Sequence, residues 1–366
     1  VELTASEIEE LDRALETVKK APEFELVEGW QPMGVTQATF PLSSQFAAKL
    51  AAMAAELEDG AGAVMIKNVP VERYTLEDLG VVYAGINAYI GRWVPQSSAG
   101  LRSRSRGYGL PLGKVFAEMR ANTPSDGKQA NNYFRLHTDR CDCITLLCVR
   151  PAPAGGASRI CSAARVHNTM LDEVPELCAR LYKPFYRIWE GKDGVFALPV
   201  WSVRDGKLTT QVSPSYIENA QLLPAVPKMD ADDVEAIDLL EEVGLREAVE
   251  FTMQPGMVYW LNNHLVYHGR DSWRYDDAAA AAPQDSNRLM LRMWLSPYKT
   301  RALPETEAYA LVWGSTDANA VRGGLGPAIK SGLTPKSKEL AEAVKSGTHS
   351  YYGLFKRSYG IDAHTV

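Results

Sequence analysis

The chain has 366 residues, enough for one enlarged domain or two small ones, since single cores stop growing near roughly 250–300 residues; one enlarged domain is the expectation. Hydrophobic residues make up 46% and charged residues 23%, ordinary globular usage that excludes wholesale disorder and collagen-like repetition. The 39 Lys and Arg against 45 Asp and Glu leave a net charge of -6, so no broad basic field exists to hold nucleic acid through its phosphates.

From the N-terminus, Thr4-Ala-Ser-Glu7 is a capping box, and Ile8, Leu11, Leu15 and Val18 recur at helical spacing, which predicts an amphipathic helix over 5–19. Ser44 to Leu57 reads as a second helix ended by Asp59-Gly60, followed by a strand at Ala63–Ile66 and a third helix from Thr75 to Ile90. The longest apolar-looking stretch, Phe46 to Ala55, carries Lys49 and falls short of the about 20 residues that span a bilayer. No membrane association is expected, and the lack of a basic, apolar, small-residue leader pattern favours the cytoplasm.

Beyond about residue 132 short apolar runs take over: Ile144–Val149, Phe185–Trp189, Val195–Val203, Lys207–Val212, Val249–Met253, Met257–Leu261 and Leu289–Leu295. Asp205-Gly206 is a hairpin signal, and Pro255-Gly256 is read as a second turn between antiparallel strands. Helices are expected at Asn168–Leu181, kinked or delayed by Pro175, and at Met229–Val243. Residues 277–286 look like an Ala-rich insertion, and the tail beyond Pro297 has one expected helix, Ser337–Val344, and a Tyr351–Phe355 patch. The five cysteines, Cys141, Cys143, Cys148, Cys161 and Cys178, are odd in number and crowded, so reduced thiols are expected rather than a disulfide framework. Many short strands with few helices outside them point to an α+β fold with a mainly β core, a double-stranded β-helix (jelly-roll) barrel with flanking helices.

The strongest chemical signal is His137-Thr-Asp139, where residues two apart share a face of an extended chain. Of the other histidines, His268 is the best third donor: it follows an apolar strand, and 128 residues intervene between it and Asp139. Two imidazoles and one carboxylate suit non-haem Fe(II) with open positions for oxygen chemistry, and zinc would accept the same set. Arg288 and Arg292, four apart in an apolar strand, are costly unless they meet anions, and their forks match a dicarboxylate; a structural ion pair is the alternative. His264 competes with His268 for the distal position. Cys141-x-Cys143 lacks a second pair at zinc-finger spacing and is assigned to strand packing. Gly107–Gly113 is a poor dinucleotide fingerprint because Pro111 breaks it, so no nicotinamide cofactor is expected. Arg102, Arg104 and Arg106 are candidates for a lid, and Asn131–Phe134 for a pocket wall.

The ordered set His137-Thr-Asp139, Gly155-Gly-Ala-Ser158, Leu261-Asn-Asn with His268-Gly-Arg, and Arg288-Leu-Met-Leu-Arg292 resembles the Fe(II)/2-oxoglutarate-dependent dioxygenases of the taurine dioxygenase type. The similarity runs from about residue 130 to 297, and its His-Gly-Arg context favours His268 over His264. The resemblance implies that His137, Asp139 and His268 bind iron and are the catalytic centre. Ser158 and Arg288 would hold the distal carboxylate of the 2-oxoglutarate co-substrate, and Arg292 that co-substrate or an anionic group of the prime substrate. Two departures stand out: only 18 residues separate Asp139 from Ser158, and Arg288 lies 20 positions after His268. The first gap is shorter and the second longer than usual in the family.

The implied activity is oxidation, hydroxylation above all, of an unactivated C–H bond in a small organic substrate. It consumes O2 and is coupled to decarboxylation of 2-oxoglutarate to succinate and CO2. Desaturation or cyclisation on the same iron site, and a catalytically degenerate binding protein, are the alternatives. The implied organisation is one dioxygenase domain over 1–366, with a helical buttress at 1–95, a jelly-roll core at 130–297 and a C-terminal extension at 298–366. A homo-oligomer is compatible with the sequence.

Overall fold

The computed structural model describes residues 1–27, 29–96, 112–115, 133–188, 195–274 and 288–324. The Arg102–Arg106 segment, Gly107–Pro111, Asn131 and Asn132, the Ala-rich insertion, the Ser337–Val344 helix and the Tyr351–Phe355 patch lie outside the described residues.

Thr4 caps the first helix, Ala5–Val18: its hydroxyl accepts from Glu7 N, and the Glu7 carboxylate accepts from Thr4 N at 2.8 Å. The second and third helices run Ser44–Asp59 and Leu76–Asn87 under Ser43 and Thr75 caps. Their apolar faces, through residues such as Leu11, Leu50, Val82 and Ile86, share one buried cluster with Leu147, Trp260, Leu291 and Met293. Those four partners belong to the largest sheet among the described residues. Its strand order is Ala63–Ile66, Val258–Asn262, Cys143–Arg150, Leu289–Pro297 and Gly91–Val94, with Gly113–Val115 also paired to Leu289–Pro297. A second sheet orders Val249–Phe251, Ser158–Ser162, Val266–Arg270 and Phe134–His137, and every pairing in both sheets is antiparallel.

The period of two along a strand assigns each side chain to a layer. In Leu289–Pro297, Leu291, Met293 and Leu295 face the N-terminal helices, whereas Met290 and Trp294 enter a cluster that also holds Ile160 and Val266 of the smaller sheet. On the far side of the smaller sheet, Leu136, Cys161 and Tyr267 pack against Val166 and Met170 of helix Ala163–Glu173 and Ile237 and Leu240 of helix Ala231–Arg246. The result is a mixed helix and sheet architecture in which both sheets contribute to one shared inner core. No helix among the described residues is long and apolar enough to cross a membrane.

Asp205 and Gly206 adopt φ 51° and 73° and join Trp201–Arg204 to Lys207–Thr210 as a two-residue hairpin, as expected. Elsewhere the structure differs from the sequence reading. Pro255-Gly256 turns the chain, but Val249–Phe251 pairs in the smaller sheet and Val258–Asn262 in the larger, so the turn is a crossing and not a hairpin. Its shape is set by neighbours: Gly256 N donates to Cys148 O at 2.9 Å, Gly256 O accepts from Val69 N at 3.0 Å, and φ is +79°. The run Val195–Val203 is two strands, Val195–Leu198 and Trp201–Arg204, in separate sheets, because Pro199 has no N–H to continue a ladder. The expected helix Asn168–Leu181 is two, Ala163–Glu173 and Pro175–Arg180. Pro175 drives Val174 out of the α region, to φ -149° and ψ 64°, and Ser162 caps the first helix earlier than its periodicity suggested. Helices Pro214–Gln221 and Glu307–Trp313 were not anticipated.

Candidate metal centre

His137 ends strand Phe134–His137, and because Leu136 points toward the outer helices, His137 points toward the shared core. The same parity applies on Val266–Arg270, where Tyr267 packs outward and His268 inward. The antiparallel register sets His268 directly opposite His137, with ring centroids 4.2 Å apart. Asp139 follows two residues after His137, and its Oδ2 lies 3.9 Å from His268 Nε2. One ligand atom from each of His137, Asp139 and His268 lies within 4.8 Å of the others, and all three residues are buried. Among the described residues this is the one group of three or more His, Cys, Asp or Glu side chains that gathers in this way.

The donors are oriented by neighbours. His137 Nδ1 donates to Arg135 O at 2.8 Å, which makes Nε2 the atom that keeps the lone pair. The Phe134 ring meets the imidazole edge-on at 4.3 Å between centroids. Asp139 N donates to Asn263 Oδ1 at 3.0 Å, and Trp294 Nε1 donates to Asp139 Oδ2 at 3.1 Å. Burial lowers the His268 pKa to about 3; the adjacent His137 pushes the same way, while Asp139 opposes. His268 is therefore neutral near pH 7, the state in which an imidazole can bind a metal. Its Nδ1 is buried with no hydrogen-bond partner among the described residues, so strand pairing holds this ring in place. Two nitrogen donors and one carboxylate fit a non-haem ferrous ion.

Arg288 and Arg292 are both buried. Arg292 shares the inward parity of Met290 and Trp294; its Nε donates to Gln96 Oε1 at 2.7 Å, Gln96 Nε2 donates to Arg292 O at 2.9 Å, and the guanidinium lies 5.4 Å from the Trp294 ring. Burial raises the Tyr259 phenol above its ordinary range, and the charges of Arg288 and Arg292 oppose that rise. Ser158 is buried and sits two residues before Ile160, the cross-strand partner of His268, and so on the His268 face of the smaller sheet. The ligand candidates thus sit on or beside the smaller sheet, Arg292 lies on the larger, and Arg288 immediately precedes its strand Leu289–Pro297.

His264 is outside this group: its Nε2 lies 2.6 Å from Asp142 Oδ1, both side chains buried. Cys141 and Cys143 are buried thiols whose Sγ atoms donate to Cys143 O and Ile144 O, and burial pushes both well above the ordinary thiol range, away from the thiolate a soft metal needs. Sequence reasoning missed Gln96, Trp294 and the Asn263 side chain. Trp294 carried a signal, since it stands two residues from Arg292 and shares its face; Gln96, beside Pro95, carried none.

Comparison with known proteins agrees with this geometry. The sequence model of the family described as "Taurine catabolism dioxygenase TauD, TfdA family" matches residues 25–294. FR-33289 synthase of Streptomyces rubellomurinus is 28% identical over 281 residues, 73% of this chain and 78% of that protein. Two solved structures share the fold. Asparagine oxygenase, in complex with Fe(II), 2S,3S-3-hydroxyasparagine and succinate, has a TM-score of 0.60 at 16% identity, over 81% of this chain and 92% of that one. The non-heme iron oxygenase OrfP, in complex with Fe and alpha-ketoglutaric acid, has a TM-score of 0.54 at 14% identity, over 81% and 93%.

Proposed function

Because the chain belongs to the TauD, TfdA family of taurine catabolism dioxygenases, we propose that His137, Asp139 and His268 hold its ferrous ion and that it hydroxylates an unactivated C–H bond of a small organic substrate. The chain is an Fe(II)/2-oxoglutarate-dependent dioxygenase, and O2 is its second co-substrate. The observation that carries the assignment of residues is the convergence of three buried donors within 4.8 Å, from segments far apart along the chain. Bound Fe(II), with 2-oxoglutarate and O2, supplies the oxidising power for C–H cleavage, and 2-oxoglutarate leaves as succinate and CO2.

The chain's own part is binding, orientation and exclusion of water. His137 presents a fixed Nε2 through its bond to Arg135 O, His268 stays neutral through burial, and Trp294 selects the orientation of the Asp139 carboxylate. Arg288 and Ser158 receive the distal carboxylate of 2-oxoglutarate, and Arg292, steadied by Gln96, receives that carboxylate or an anionic group of the prime substrate. The two sheets are read as the halves of a jelly roll in one domain over residues 1–366, and the buried free thiols support a reducing, cytoplasmic setting. His137→Ala and Asp139→Ala tests the centre. Each is expected to abolish Fe(II) binding and succinate release while the circular dichroism spectrum persists, and unaltered succinate release in either variant overturns the assignment.

A further inference from the structure

Behind the candidate ligands lies a second buried cluster. Asp142 Oδ1 lies 2.6 Å from His264 Nε2, Arg322 Nε lies 3.0 and 3.1 Å from the two Asp142 oxygens, and Ser296 Oγ donates to Oδ2 at 3.4 Å. The Arg322 side chain is fully buried, and its Nη1 and Nη2 donate to Asp317 O at 2.8 Å and Arg301 O at 2.7 Å. Backbone contacts reinforce the junction. Asn263 N donates to Asp142 O at 2.9 Å, Asn263 Nδ2 to Cys141 O at 3.0 Å, and Gly324 N to Arg140 O at 2.9 Å. Gly323, at φ +85°, lies so close that a Cβ would sit 3.1 Å from Cys141 Cα. Three segments therefore meet at Asp142: the loop that begins at Asp139, the turn that leads into His268, and a C-terminal stretch beyond the family-matched residues.

We infer that Arg322, acting through Asp142 and His264, is a positioning residue that locks the Asp139 loop to the turn before His268 and so fixes the distance between two metal ligands. The inference rests on the reading of His137, Asp139 and His268 as the metal ligands. A buried carboxylate is tolerated while a cation and hydrogen-bond donors surround it; with the cation removed it is strongly destabilised. Without Arg322, the Asp142 loop must open toward water. Opening displaces Asp139, three residues away, and loosens the contact with His264, four residues before His268. Residues that orient metal ligands typically contribute about 10–100-fold to metal affinity.

The test uses the full chain and Co(II) alone, without 2-oxoglutarate or substrate, reading both the dissociation constant and the visible d–d spectrum. Leu50→Ala serves as the comparison for lost stability, since Leu50 packs in the helix-facing cluster away from both ligand segments. Arg322→Met is expected to weaken Co(II) about 10–100-fold and to alter the d–d bands, with Arg322→Lys recovering most of the affinity; Leu50→Ala lowers the melting temperature and leaves affinity and spectrum as in the wild type. Should Arg322→Met fail to fold, His264→Phe against His264→Gln carries the same test, because Gln keeps an N–H donor toward Asp142 and Phe does not. A folded Arg322→Met or His264→Phe chain with wild-type Co(II) affinity and spectrum overturns the inference. A wild-type chain that binds no Co(II), or a His137→Ala chain that binds it as tightly as wild type, overturns the ligand assignment itself.

Discussion

Trp294→Phe isolates one hydrogen bond at the candidate metal centre. The indole Nε1 donates to Asp139 Oδ2 at 3.1 Å, and neither residue has appreciable solvent access to replace the donor. A hydrogen bond to a charged group contributes about 1.5–3 kcal/mol. The effect on metal binding is orientational: without the donor the carboxylate is able to rotate, and metal binding must then fix it. A loss of about 1.4–2.7 kcal/mol of metal affinity, or 10–100-fold, is expected. The smaller ring also leaves a void beside Val94 and Ile144, costing about 1–2 kcal/mol of stability. Calorimetric titration of the variant with Co(II), alongside its thermal melt, separates the two effects. A lowered melting temperature with a Co(II) dissociation constant within about twofold of wild type would refute the role given to the indole N–H.

Arg288→Ala is expected to raise the KM for 2-oxoglutarate about tenfold or more, from the loss of about 1.5–3 kcal/mol of charge-assisted bonding, and an unchanged KM removes Arg288 from that role. In the metal-free chain, the His268 value near 3 lies below its unfolded value of about 6.5, so the unfolded state binds the extra proton and stability falls as pH drops from 6.5 toward 3. From pH 7.5 to 5 the loss is about 2 kcal/mol; burial of His264 acts in the same direction, while Glu241, raised by burial, opposes it above pH 4.5. Urea midpoints measured from pH 7.5 to 5 should therefore slope more steeply in wild type than in His268→Gln, and parallel slopes would contradict the burial argument. Gly256→Ala places a Cβ 2.2 Å from Val69 O at a φ of +79° and is expected to cost at least about 2 kcal/mol, seen as a lower melting temperature without a change in Co(II) affinity.

What the sequence disclosed depended on how local each cause was. Thr4 and Glu7 stand three residues apart and cap a helix through each other, and Asp205-Gly206 makes a turn from its own backbone preferences, so both were legible. His137 and Asp139 were legible as a pair for the same reason, and His268 through the order of motifs around it. Pro255-Gly256 announced a turn but not the sheets its strands would join, because the turn is shaped by Val69 and Cys148, remote in sequence. The bonds around the candidate site are more remote still: Gln96 and Arg292 are 196 positions apart, Asp139 and Trp294 155, and Asp142 and Arg322 180. A glutamine, a tryptophan or an arginine in such places has no periodicity or spacing to mark it. Arg322 also lies beyond residue 297, where the resemblance ended.

Strand Leu289–Pro297 explains why Arg292 stands out in the sequence. It is buried along its whole length, one face toward the N-terminal helices and the other toward the site, so its sequence is almost unbroken apolar residues and a charge within it must have a use. A slip of one residue would carry Arg292 and Trp294 to the helix-covered face. The guanidinium would then enter the cluster of Leu50, Ile86 and Trp260, and Asp139 and Gln96 would lose their partners. The register of the larger sheet is therefore tied to the bonds of Arg292 with Gln96 and Trp294 with Asp139, while in the smaller sheet His268 pairs between Ile160 and His137. Under the proposed assignment neither sheet carries the site by itself: the smaller supplies the two imidazoles, and the larger supplies the donor to Asp139 and the Arg292 side chain.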